Sequence, residues 1–403
     1  MKRTRSATVL LVAAIVAVAL NQRPAIVAVG SVLRTLQNDT GLGDTLAGVL
    51  TAVPVLCFGA FAPVAPRLAR RIGLESAVAL SLALLAGGIA LRLLPPIPLL
   101  YVGSLIAGAA IALANVLLPA FVKREFLRPG PVMGVYSSSL NVGAALGAAI
   151  TLPLGAALGV DWRVALGLWL VLALLALALW LPVAGTGRAH RRAGPVLAAG
   201  SWSLLRQPLA RQVTAYLGLQ SVEFYSFAAW LPTLLHDSAR LSLAQGGALL
   251  GVSNIVGAAA ALLAPAQAGR MRTQRPLIVG VVVAYALGLG GLLIAPATAP
   301  LLWVGLFGVA QGGGFALALT LIVLRSPTPL ASARLGGVAQ CLGYLLAAAG
   351  PLLLGALHEG TGGWAWPLVL LLVLLVPMGW SGWGAARDAV LATEDAPAAV
   401  PAA

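Results

Sequence analysis

The chain is a succession of long apolar runs separated by short polar loops. A run of about 20 apolar residues is what an α-helix needs to cross a bilayer. On that rule the sequence predicts twelve spans, at 8–36, 45–66, 74–94, 98–122, 132–159 and 163–184, then 209–235, 243–266, 276–295, 300–325, 331–357 and 364–386. The longest interior gap, 185–208, holds Gly185, Gly187, Arg188, His190, Arg191, Arg192, Gly194 and Pro195. The expected organisation is a six-helix bundle over 1–184, a cytoplasmic linker over 185–208 and a second bundle over 209–386. The tail 387–403, rich in Ala and Pro, is expected to be disordered and cytoplasmic.

One polar knot, Leu20-Asn21-Gln22-Arg23-Pro24, interrupts the first span. If 8–36 is one element, Arg23 lies near the middle of the bilayer. A cation there costs at least ~2.5–3.5 kcal/mol, so it should face a partner, a cavity or a ligand. Pro24 removes one helical N–H and loosens the Leu20 carbonyl, which lets the helix bend where the charge sits. The competing reading ends the helix at Leu20 and leaves Arg23 at a membrane surface.

Composition excludes a soluble protein: 60% of the 403 residues are hydrophobic and 9% charged, against about 25% charged in globular domains. The formal charge of +14 would suggest nucleic acid, but its distribution argues for membrane topology. With the N terminus inside, 20 of the 25 basic residues fall in cytoplasmic loops and four, Arg34, Arg92, Arg163 and Arg240, fall outside, with Arg23 between them. That asymmetry is the positive-inside rule. Met1-Lys2-Arg3-Thr4-Arg5 before an apolar run resembles a signal peptide, but no small-residue cleavage site follows before Arg23, so the segment is expected to be retained. Cys57 and Cys341 sit in apolar runs with no disulfide framework.

The two sets of six resemble each other weakly. Arg67-Leu-Ala-Arg70-Arg71 follows the second span, and Arg270-Met-Arg272-Thr-Gln-Arg275 follows the eighth. Asn141 precedes Gly147 by six in the fifth span, as Tyr344 precedes Gly350 in the eleventh. Gln22-Arg23 in the first span is answered by Gln220-Ser221-Val222-Glu223 in the seventh. Two six-helix halves with cargo held at mid-depth between them is the architecture of many secondary transporters.

The polar residues at mid-depth are the candidate cargo site: Arg23, Gln22, Asn141, Gln220, Gln340 and Tyr344, with Asn115 and Gln311 in second rank. Asn254 is central in the eighth span. For any single amide, a helix–helix hydrogen bond is the plain alternative. Gln220 and Glu223 are three apart and Gln340 and Tyr344 four apart, so each pair is expected to share a helix face. Glu223 is the one acid in the centre of a span. It is a candidate proton carrier, a candidate counter-ion for Arg23, or a structural hydrogen bonder; all three stay open.

Gly143 and Gly147 make a small-xxx-small face, and Gly312-Gly313-Gly314 suggests close packing or a flexible point. The two lysines, Lys2 and Lys123, do not follow a Walker glycine pattern, so no nucleotide motor is encoded. No HExxH, GxSxG or His/Cys cluster occurs, and His190, His236 and His358 map to loops or span ends. The pattern calls for no cofactor, metal or enzyme chemistry.

Several stretches carry a family resemblance: Asn21 through Ala25, Pro54 through Gly59 with Ala62-Pro63, Pro66 through Gly73, and Asn115-Val-Leu-Leu-Pro119. Tyr136 through Asn141, Gln220-Ser221, Phe224-Tyr225, Trp230-Leu231-Pro232, Gln340 and Gly343-Tyr344 continue it, so that it covers about residues 8 to 386. On these the chain resembles a major facilitator superfamily transporter, and within it the cyanate / 2-nitroimidazole transporter group. Two departures stand out. The acid that usually precedes the basic cluster between the second and third spans is missing, with Pro63 and Pro66 in its neighbourhood. Glu223 stands where an apolar or small polar residue is more usual.

The resemblance implies alternating-access transport of a small anion or small polar heterocycle, such as cyanate or a nitroimidazole. The five fixed donors of a central arginine suit a planar or anionic group. The expected protein is a monomer in the cytoplasmic membrane with both termini inside, its partners the small-molecule cargo, lipid and, in the coupled version, protons. An exporter of toxic compounds is the alternative within the same fold. A receptor would need a recognition domain that the short loops do not supply, and a channel would need polar residues along a full path.

Overall fold

The computed structural model describes residues 5–42, 44–187 and 201–392, and these form helices and connecting turns. Helices α1 (Arg5–Gln22) and α2 (Pro24–Thr40) make the first span, broken at Arg23. Pro24 is the first residue of α2, where a missing N–H costs nothing because that group would be unbonded anyway. Helices α3 (Asp44–Phe61) and α4 (Val64–Ile72) make the second, bent by 59° at Ala62-Pro63. Then come α5 (Leu74–Leu91), α6 (Ile97–Glu125) and α7 (Pro129–Leu158), with α8 (Trp162–Gly167) and α9 (Trp169–Gly187) sharing the sixth span. A 3-10 turn, Ser201–Arg206, leads to α10 (Pro208–Ala239), α11 (Leu243–Ala268), α12 (Arg275–Ile294), α13 (Pro300–Leu324), α14 (Pro329–Thr361) and α15 (Ala365–Ala385).

Among the described residues, nine of these stretches have both the length and the hydropathy of a span, and the bent α3–α4 pair is a tenth. Helices α7 and α10 have the length, at 30 and 32 residues, and bring the set to twelve. Leu174, Leu175, Leu263, Leu352, Val373 and Val376 are exposed. In lipid such residues need no partner, and the helices are held by close packing instead.

Small residues set that packing, and they do so twice. In α7 a side chain at Gly143 would strike the Leu20 carbonyl, and one at Gly147 would strike Pro24. The carbonyl that Pro24 releases therefore lies against a glycine. In α14, Gly343 lies on Gly218 and Gly350 on Val222 and Ser226 of α10. The first and fifth spans thus meet as the seventh and eleventh do, and the fold has two pseudo-symmetric halves.

A polar clamp also repeats. Arg124, at the end of α6, binds Glu75 at the start of α5, whose main-chain oxygen accepts from Trp180 Nε1 at 2.9 Å. Arg325, just past α13, binds the Gln274 side chain just before α12. A carboxylate in one half is answered by an amide in the other.

Two expectations change, on the tail and on Arg92. Residues 387–392 of the expected tail pack on the bundle: Arg325 Nε donates to Ala385 O at 2.9 Å, Leu391 N donates to Arg325 O at 2.8 Å, and Arg387 donates to Gln212. Its apolar Leu391 is buried, and it covers polar groups at a bundle end that would otherwise lack partners. Residues 393–403 of the expected tail lie outside the described residues. The expected linker falls mainly on 188–200, also outside them, and its end is the 3-10 turn with Leu204 buried. Arg92, expected in an outer loop, is 2% exposed and donates to the main-chain oxygen of Ala25. Arg92 caps the C-terminal end of α5, and a helical side chain leans back toward the N-terminus of its helix, so the guanidinium reaches inward to a carbonyl in the first turn of α2.

Candidate functional site

The break at Arg23 points three successive side chains in three directions. Asn21 donates to Ala17 O and to Leu172 O of α9, each at 2.9 Å. Gln22 is buried and faces Tyr136 of α7. Arg23 faces a cavity of about 330 Å³ between the halves. Its guanidinium lies 5.6 Å from the centre of the Phe315 ring and reaches the Tyr225 hydroxyl, with Tyr344 and Tyr136 close by.

Of the residues singled out in the sequence, Arg23, Asn141, Gln220, Gln311 and Tyr344 line this cavity. They come from five different spans. Gln220 Nε2 donates to the Gln311 main-chain oxygen at 3.2 Å, which joins α10 to α13 at the wall. Asn254, Ser221, Phe58, Phe224, Tyr225 and Phe315 line it too. Asn254 had a plain helix–helix alternative, and the aromatic residues carried no periodic signal in runs that are apolar on every side. Phe58, Tyr344, Tyr225 and Phe224 form a chain of ring contacts at 5.2, 6.3 and 5.1 Å. Arg23 is the one charged side chain among the described lining residues.

The other four expected residues lie elsewhere. Gln22, Asn115 and Gln340 form a floor beneath the cavity: Tyr136 donates to Asn115 Oδ1 at 3.3 Å, and Gln340 Nε2 donates to Asn115 O at 3.2 Å. Gln340 shares a helix face with Tyr344, but one turn lower, where it meets α6. Glu223 points away from the cavity, is 0% exposed and makes no ion pair with Arg23. Successive helical residues turn by ~100°. Gln220, Ser221, Phe224, Tyr225 and Ala228 therefore occupy one arc of α10, while Glu223 and Tyr216 lie on the other side of Gln220.

Below the floor the halves touch through glycines. Gly130 and Gly134 of α7 face the Pro265 and Leu262 carbonyls of α11, and Gly337 of α14 faces the Ala62 carbonyl. All lie toward the end of the bundle that carries Arg67, Arg70, Arg71, Lys123, Arg124 and Arg128. Above the floor, Ile26 and Val27 of α2 face Gly247 and Leu250 of α11 across the cavity. The site is closed at the basic end. An apolar, aromatic chamber with one cation and a few amides has the make-up to hold and orient a small polar molecule.

Residues 10–351 match the model of the Major Facilitator Superfamily. The chain is 38% identical over 381 residues to the 2-nitroimidazole transporter of Escherichia coli, covering 94% of this chain and 96% of that one. It is 30% identical over 370 residues to the cyanate transport protein CynX of the same organism, covering 90% and 94%. The fold superposes on the proton:xylose symporter XylE with a TM-score of 0.73 at 14% identity, over 95% of this chain and 96% of that one. With the twelve helices, the repeated halves and a cavity between them, these matches place the chain in the Major Facilitator Superfamily, in the group of the cyanate and 2-nitroimidazole transporters, as a multi-pass membrane protein of secondary transport.

Proposed function

We propose that the chain moves a small planar anion or small polar heterocycle, of the cyanate or nitroimidazole kind, across the cytoplasmic membrane. The observation that carries this reading is that Arg23 is the one charged group among the described residues lining the cavity. Arg23 anchors the cargo, Asn141, Gln220, Gln311 and Tyr344 donate or accept hydrogen bonds around it, and the rings of Phe58, Tyr225 and Phe315 cover its faces. Gln22, Asn115 and Gln340 support Arg23 from below. The halves on either side of the linker rock about this centre, and with the basic end cytoplasmic the closed floor gives an outward-facing state. The names of the two relatives support the cargo class, and a single chain encloses the cavity.

Binding assays on purified protein with cyanate, nitrate, small carboxylates and nitroimidazoles test this. Arg23→Ala, at normal membrane expression, loses binding and uptake. Arg23→Lys keeps the charge but not the planar fork and weakens binding about tenfold. Uptake retained by Arg23→Ala refutes the anchor. Growth on a toxic nitroheterocycle sets the direction, since an importer sensitises cells and an exporter of the same fold protects them.

A further inference from the structure

A second polar cluster is packed inside the C-terminal half, on α10 beside the residues that line the cargo cavity. Tyr216, Gln220 and Glu223 project from one side of α10 at positions i, i+4 and i+7. Tyr285 of α12 faces all three. Gly314 of α13 leaves room beside Gln220 and the Tyr216 hydroxyl, which a side chain there would crowd. Tyr285 is held edge-on by Phe307, ring centres 4.9 Å apart, and Phe307 is in turn stacked on Phe227. Glu223, Tyr216 and Tyr285 are each 0% exposed; among the described residues both carboxyl oxygens and the Tyr216 hydroxyl lack a hydrogen-bond partner, while the Tyr285 hydroxyl lies within reach of Gln220.

Among the described residues no cation answers this carboxyl. Helices α11, α13 and α15 carry no ionisable side chain. Helix α12 presents Tyr285, α10 presents Tyr216, and Tyr344 of α14 belongs with Arg23. A carboxylate without a counter-ion in a lipid-bounded interior is costly, so the packed state seen here suits the acid form. Two tyrosine hydroxyls stand ready to donate to the carboxylate once the proton leaves.

We propose that Glu223, with Tyr285 and Tyr216, is a proton-binding site set apart from the cargo site, with Gln220 as the link between them. The proposal rests on the cavity reading above and names its coupling ion. Gln220 belongs to both sites: it borders the cargo cavity, holds the Gln311 main-chain oxygen and lies against Tyr285. When the carboxyl releases its proton to water, the O–H bond breaks and the negative charge stays on Glu223. The tyrosine hydroxyls and the Gln220 amide then turn toward it. Gln220 leaves Gln311, and the α10–α13 wall of the cavity loosens. Binding a proton restores the wall.

The test uses proteoliposomes with 2-nitroimidazole as probe. An imposed proton gradient drives accumulation by the wild-type protein, and Glu223→Gln lowers it at least about tenfold. Tyr285→Phe, a milder change, shifts the pH midpoint of transport upward, because it removes a donor to the carboxylate. Infrared difference spectra of purified protein between acidic and alkaline buffer read the carboxyl with no cargo present. The wild-type protein shows a titrating carboxylic carbonyl band that Glu223→Gln abolishes. Undiminished accumulation in Glu223→Gln, or an unchanged infrared band, overturns the proposal. If the wild-type protein does not move the probe, the cargo reading falls while the infrared arm still decides the proton site.

Discussion

Gln340 Nε2 donates to the main-chain oxygen of Asn115 at 3.2 Å, joining residues 225 apart in sequence and on opposite sides of the cavity floor. Because the acceptor is backbone, one side chain controls the bond. A hydrogen bond of this kind contributes ~0.5–1.5 kcal/mol, and the rocking motion proposed above breaks it each time the basic end opens. Gln340→Ala therefore shifts the population toward the state open at that end, by about two- to tenfold. Thiol labelling from the basic side reads this, using a cysteine placed at Ser137 in a background with Cys57 and Cys341 replaced. An unchanged labelling rate would show that this bond does not hold the floor.

Gly134 and Gly312 separate a moving contact from a fixed one. Gly134 faces Leu262 of the opposite half, and Gly312 faces Gly257 within its own half. Overpacking costs ~1–3 kcal/mol wherever the contact is made. For Gly134→Val that cost falls only on conformations closed at the basic end. Transport slows by about tenfold or more, while the folded yield is kept. For Gly312→Ala the cost falls on the fold itself and lowers the melting temperature by ~2–4 °C per kcal/mol. Equal loss of thermal stability in both variants would mean that α7 and α11 do not part during transport.

Arg325 closes the C-terminal segment onto the bundle through Ala385 O, Ala389 O and the Gln274 side chain. Hydrogen bonds to a charged group are worth ~1.5–3 kcal/mol, so Arg325→Ala releases 386–392 before the bundle unfolds. Hydrogen exchange in that peptide should speed up while α12 and α13 stay protected. Protection that persists would place the stability of the segment in Leu391 and in the Gln207 bonds to Ala392 instead.

The Glu75–Arg124 and Gln274–Arg325 clamps show where sequence reading stops short. Both arginines were placed at the basic ends of their spans from loop charge alone, and both are found there. Their partners come from the neighbouring span, and no local pattern distinguishes Gln274 from any other loop amide. Arg92 shows the same limit: its place at a span end was legible, but the burial of its side chain against Ala25 was not.

Hydropathy, loop charge and proline act within a few residues of where they are written. From those alone came the membrane class, the twelve spans and the break at Arg23. Which way a helix turns about its own axis is different, because in lipid an apolar surface gains little by facing inward. That choice falls to contacts between segments remote in sequence, such as Gly143 on Leu20, Gly343 on Gly218 and Gly314 beside Tyr216. Tertiary packing alone therefore turned Gln220 toward the cavity between the halves and Glu223, one turn further along α10, into a buried cluster with Tyr216 and Tyr285.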